Sequence, residues 1–175
     1  GRRLRAELAR FAAEKGSAVL SGSIVTPEHL IPLPANAASD VLVLALLAQR
    51  LLGQHRALQA LFPVPGAEWT FALALGIAEQ LQDVRRQLTD SDRSAADLLS
   101  AVPDEEKARW TNIAQLENGL LKDLAQLDLR DPLHAKREAA RRPPDAIPCS
   151  RVVALFIPDL SALAARALQS LSARC

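Results

Sequence analysis

The chain has 175 residues, 49% hydrophobic and 23% charged, which is ordinary for a folded protein and suits one domain, with or without an inserted subdomain; it contains no internal repeat and no low-complexity segment. Its net charge of +1 argues neither for nor against nucleic acid, so any basic patch must be local. Aromatics are 3% and Tyr is absent, so alanine and leucine must fill the core, which favours helix.

Residues 2–15 place Leu4, Leu8, Phe11 and Ala12 at helical spacing, with arginines on the other face and Gly16 as a C-cap. Residues 17–25 alternate loosely, and a strand is expected near Val19 or Ile24. Thr26 as N-cap and Pro27 at the first helical position begin a short helix that Pro32 and Pro34 stop. From Ser39 the pattern turns helical. Helices are expected over 40–52, ended by Gly53; over 54–62, ended by Pro63; and over 68–88, with Phe71, Leu75, Ala78, Leu81 and Leu88 as the apolar stripe. Residues 90–94 read as turn and cap. A short helix follows over 95–101, then one from Pro103 to Leu127 burying Trp110, Ile113, Leu116, Leu120, Leu121 and Leu124. Another opens at Asp131-Pro132 and runs to Arg142. Pro143, Pro144 and Pro148 form an extended connector. It leads into the apolar run 152–157, read as a strand buried on both faces, and a helix capped by Asp159 or Ser161.

Two strands flanking about a hundred helical residues predict an α/β fold: a mostly helical chain with a partial parallel sheet and a large inserted helical subdomain. The expected parts are 1–35, 36–148 and 149–175. Two strands do not make a viable sheet, so the rest of it is expected from sequence beyond these residues. The start at Gly1 and the absence of Met also read as a piece of something larger.

No phosphate loop, GxGxxG, HExxH, CxxC or GxSxG is present. His29, His55 and His134 lie in separate elements and make no ligand set. Cys149 and Cys175 provide neither a disulfide framework nor metal spacing and read as free thiols. Asp104, Glu105 and Glu106 are helix-start charges, and Asp90 and Asp92 are turn chemistry. The basic clusters Arg2, Arg3, Arg5, Arg10 and Lys136, Arg137, Arg141, Arg142 read as solvated helix faces. Trp69 and Trp110 sit in apolar stripes and read as core. No apolar run approaches the ~20 residues that span a membrane, and no secretory leader is visible, so a cytoplasmic location is expected.

The stretch GRRLRAELAR (1–10), the strand after it and IVTPEHL (24–30) resemble a part of superfamily 1 DNA helicases. There a strand ends in a T-x-H-S-[FL]-like motif that touches single-stranded DNA, and a helical subdomain follows. Thr26 matches the motif's threonine, while residues 28–30 match its tail only loosely. The chain there returns to the sheet on a strand carrying the acidic motif D-E-x-Q-D-x-x-x-x-Q. On that pattern Pro158-Asp159 falls on Q-D and Leu155-Phe156 on D-E, so the acids that hold Mg²⁺ are replaced by apolar residues. With ARWTNIAQLE (108–117), LDLRDP (127–132) and SRVVALFIPDL (150–160), this departure is similar to the inactivated, P-loop helicase-like domain of AddB-type proteins. These are the B subunits of bacterial helicase-nucleases of the PD-(D/E)XK nuclease family.

The resemblance implies a non-catalytic, DNA-binding and scaffolding lobe of a double-strand-break repair enzyme, without activity of its own. It implies two partners: DNA, as single strands and double-strand ends, and a helicase-nuclease subunit. Arg2, Arg3, Thr26, Pro27 and His29 are the implied DNA contacts, and Leu155, Phe156 and Asp159 are the degenerate Mg-ATP motif. No cofactor is implied in this segment, although the parent family uses Mg-ATP, a divalent metal and in some members an iron–sulfur cluster. The rival reading from composition alone is a helical protein-interaction module with no nucleic-acid role.

Overall fold

In a computed structural model of the chain, the residues described are 6, 7, 10, 11, 14, 15, 31–58, 60, 61, 68–142 and 160–172. Six helices are bounded among them: α1 (Asp40–Gln54), α2 (Phe71–Asp90), α3 (Ala95–Leu98), α4 (Asp104–Gln126), α5 (Pro132–Arg141) and α6 (Ala162–Ser172). Helical turns also pass through Ala6, Glu7, Arg10, Phe11 and Glu14.

Side-chain caps set most of the starts. Ser39 Oγ accepts from Leu42 N–H (3.3 Å), Thr70 Oγ1 from Leu73 N–H (3.2 Å), Asp131 Oδ2 from His134 N–H (2.8 Å) and Ser161 Oγ from Ala164 N–H (3.2 Å). α4 begins instead behind Pro103, with Asp104, Glu105 and Glu106 at the positive end of its dipole. α2 and α4 end alike. Arg93 N–H reaches back to Leu88 O and Leu129 N–H to Leu124 O, both at 2.9 Å or less, and the residue before each, Asp92 (φ 54°) and Asp128 (φ 55°), adopts the left-handed conformation.

α1 carries much of the main core. It packs on both α2 and α4. Arg86, late in α2, reaches Asp40 at the start of α1 (3.4 Å), and Trp69, just before α2, stacks on His55, just after α1 (centroids 5.3 Å apart). The two helices are therefore antiparallel. The main core joins Val43, Leu47, Leu51 and Leu58 to Ala74, Ala78 and Leu81 of α2 and to Leu116, Leu120 and Leu124 of α4. A second, smaller cluster joins Ile31 to Ala140 of α5 and to Leu163, Ala167 and Leu171 of α6. Ile31 from the first expected part and α6 from the third thus meet α5 from the second.

The α/β expectation is overturned. No strand or sheet occurs among the described residues; the β-type pairing found there is one isolated parallel bridge between Ala37 and Arg130. The physical reason is that the alanine- and leucine-rich stripes of these helices bury one another, so the core needs no sheet as a second layer. Short apolar runs also do not distinguish strand from helix by periodicity. The two runs read as strands, near Val19 or Ile24 and over 152–157, lie outside the described residues.

Smaller differences have local causes. α1 continues through Gly53 to Gln54, and residues 55–58 form turns rather than a second helix. In α2 the buried residues are Ala74, Ala78, Leu81, Gln82, Arg85 and Thr89, while Phe71 is exposed. The buried side of α2 therefore becomes polar towards its C-terminal end.

Candidate functional site

The residues that sequence reasoning proposed for DNA contact, Arg2, Arg3, Thr26, Pro27 and His29, lie outside the described residues, as do Leu155, Phe156 and Asp159. Trp69 and Trp110 are partly buried and packed against the main core. His55 Nδ1 lies 2.9 Å from Leu52 O under the Trp69 ring, and His134 lies 3.6 Å from Glu138 on α5. Among the described residues no group of three His, Cys, Asp or Glu side chains could hold a metal ion.

Charged side chains gather at the end of α2. Asp92 occupies the left-handed position there, where glycine is least strained and aspartate is tolerated. Its side chain is 12% exposed and receives three arginines. From α5, Arg137 Nε stands 3.9 Å and Arg141 Nη2 3.1 Å from Oδ1; from α6, Arg166 Nε stands 3.4 Å from Oδ2. Arg137 and Arg141 share one helix face because they are four residues apart. Arg137 Nη2 also donates to Asp97 Oδ2 (3.0 Å).

Asp97 in turn accepts Ser94 Oγ–H and Ser94 N–H, both at 2.7 Å. The Ser94 hydroxyl, then the Ser94 backbone and Arg137 hold its carboxyl below the ordinary value, against an opposing effect of burial. Three guanidinium groups against two carboxylates leave the cluster one positive charge in excess. Arg141 and Arg166 are 51% and 54% exposed, whereas Arg137 is nearly covered, and its Nε has no hydrogen-bond partner. A planar fork of N–H donors suits phosphate and carboxylate oxygens.

Sequence reasoning had both halves of this cluster without joining them. Arg137 and Arg141 read as a solvated face and Asp92 as turn chemistry. The available signal was an arginine pair at i, i+4 together with an aspartate just past a helix end. No signal in the sequence brings Arg166 to them.

Two further charged sites hold helices together. Arg85, 3% exposed, donates to Gln82 Oε1 (2.7 Å), Asp131 Oδ2 (2.9 Å) and Glu117 Oε1 (3.3 Å), and so links α2, α4 and the cap of α5. Arg50 of α1 forms a two-pronged pair with Asp123 of α4 (2.5 and 2.6 Å) beside an open hollow of ≈ 460 Å³. Gly119 permits this pair, because a Cβ there would fall within 2.6 Å of Arg50 Cζ. Comparison of the chain with family models, with curated proteins and with solved structures gives no match.

Proposed function

We propose that this chain is a non-catalytic helical scaffolding module that binds single-stranded DNA through phosphate contacts and presents its helices to a helicase-nuclease subunit. The DNA and the partner subunit come from the sequence resemblance. The observation that carries the reading is the gathering of Arg137, Arg141 and Arg166 from two helices on one half-exposed patch with an excess positive charge. A parallel-sheet helicase core is no part of the proposal.

Fluorescence anisotropy of a labelled single strand against rising salt tests it. The double variant Arg141→Ala, Arg166→Ala should weaken binding about equally for all sequences and lower the salt slope by about two, one for each lost phosphate contact. The triple variant Arg3→Ala, Thr26→Ala, His29→Ala reports separately on the N-terminal contacts. Unchanged affinity in both variants counts against DNA as the partner.

The second reading is a helical protein-interaction module without nucleic acid. It is favoured by the absence of a sheet among the described residues and by exposed apolar side chains at the starts of α1 and α2, with Val41 77% exposed and Phe71 53%. Absence of salt-dependent DNA binding by the unmodified chain would select it.

A further inference from the structure

We propose that Asp92 is the built-in occupant of an oxyanion site: Arg137, Arg141 and Arg166 take a phosphoryl group, and the Asp92 carboxylate competes with it for the same guanidinium groups. This is a regulation of the arginine patch described above; it rests on that reading for its location and not on DNA as the ligand.

The convergence itself is the first observation. Three cationic side chains from two helices address one carboxylate within 3.9 Å. One carboxylate neutralises one of them, and Asp97 accounts for a second.

The donor balance is the second. Three guanidinium groups carry about fifteen N–H donors, and two carboxylates offer about eight acceptor positions. Ser94 occupies two of those on Asp97. The cluster is therefore short of acceptors, and the shortage is visible at Arg137 Nε, which is buried with no hydrogen-bond partner. Water can serve the exposed edges of Arg141 and Arg166. A tetrahedral group with three or four oxygens supplies what the two carboxylates lack.

The third observation is where Asp92 stands. The position after α2 needs a left-handed residue, and glycine meets that need with least strain. An aspartate there adds nothing to the turn that glycine lacks except a carboxylate aimed at the arginines.

Charge balance then fixes the sense of the competition. With Asp92 in place the cluster carries one excess positive charge, which one singly charged phosphodiester neutralises. With Asp92 withdrawn it carries two, which match a phosphate dianion. Asp92 thus biases the site towards the singly charged group and holds down its affinity for the dianion.

The test is a titration of the full chain at pH 8 with inorganic phosphate and, in a parallel arm, with dimethyl phosphate. The arginine Nε–H resonances are followed by ¹H–¹⁵N correlation spectra. Resonances of Arg137, Arg141 and Arg166 should move. Asp92→Asn, which tolerates the left-handed backbone, should tighten inorganic phosphate about fivefold, the effect of one part-exposed ion pair, and dimethyl phosphate less. Asp92→Gly repeats the measurement with the turn relaxed, should the asparagine variant unfold early. Glu79→Gln makes the same change in net charge at an exposed position of α2 and should leave the affinity unchanged. Adding Arg141→Ala and Arg166→Ala to Asp92→Asn should abolish the gain.

Equal tightening in Glu79→Gln, or none in both Asp92 variants, overturns the proposal. Tightening by Asp92→Asn in a protein that does not bind single strands leaves the proposal standing and removes DNA. Binding of single strands that needs Arg141 and Arg166 but ignores Asp92 does the reverse.

Discussion

Arg85 is the residue whose loss should cost most. Its guanidinium pairs with the Asp131 carboxylate, which is fully buried, and it also meets Glu117 and Gln82. Arg85→Leu would leave a buried carboxylate without its counter-charge, a change that costs about 3–5 kcal/mol. Urea unfolding should show this as a lower midpoint. Gly119 makes a different point. Alanine there gains up to about 1 kcal/mol of helix propensity, yet its Cβ displaces the flexible end of Arg50 from Asp123. A part-exposed pair is worth about the same, so Gly119→Ala should stay within about 1 kcal/mol of the parent. The coupling between Arg50 and Asp123 in a double-mutant cycle should nevertheless vanish in that background. Neither residue stands out in the sequence. Arg85 lies among the charged residues after Leu81, and the partners that make it a core residue are 32 and 46 positions away.

Helices are the scale at which the sequence is most legible, because their ends are written locally. Asp131-Pro132 and Pro103 with three acids after it marked two starts that the fold contains, and of the two cap candidates Asp159 and Ser161, Ser161 caps α6. Gly53 misled because glycine stops a helix only where the chain needs a left-handed turn; here the helix runs on to Gln54. The stripe expected for α2 meets the core at Leu75, Ala78, Leu81 and Leu88 but not at Phe71, and it lacked Gln82, Arg85 and Thr89, which carry on the buried face that Ala74 and Ala78 begin. Caps should be measurable singly. Thr70→Ala should destabilise by about 1 kcal/mol, read from thermal or urea unfolding. α3 adds a pH dependence. Asp97 has a folded pKa below its ordinary 3.8, so its contribution is complete above that value and is lost as pH falls through the lowered one. Asp97→Asn should therefore flatten the acid limb of the stability profile below about pH 4, with little change in its slope near neutrality.

For the whole molecule, the two apolar clusters predict unequal stability. α6 rests on the smaller one through Leu163, Ala167 and Leu171, and its Arg166 reaches Asp92. Leu163→Ala should cost about 2–5 kcal/mol locally and raise hydrogen exchange in α6 while α1 and α4 stay protected. Uniform exchange over all helices would show a single cooperative unit instead. The layer architecture was the least legible property of the sequence. Apolar runs of six residues fit strand and buried helix alike, and which stripes face each other depends on contacts the local pattern does not contain. The candidate site was half legible for the same reason: Arg137, Arg141 and Asp92 were visible as residues and Arg166 as a neighbour was not.

The isolated bridge before α1 has a kinetic consequence. Ala38 N–H donates to Arg130 O and Arg130 N–H to Asn36 O, both at 2.9 Å, and Asn36 Nδ2 donates to Asp128 O (3.1 Å). This clip closes a span of 92 residues. Closing so long a loop carries an entropic cost of about 4 kcal/mol, which grows only slowly with length, and the three bonds repay it only once the helices between them are in place. The clip should therefore form after the rate-limiting step. Asn36→Ala, which loses about 1 kcal/mol, should leave the refolding rate unchanged in stopped-flow experiments and accelerate unfolding about fivefold, so that the span behaves as a clasp that sets how long the folded molecule lasts rather than how fast it is made.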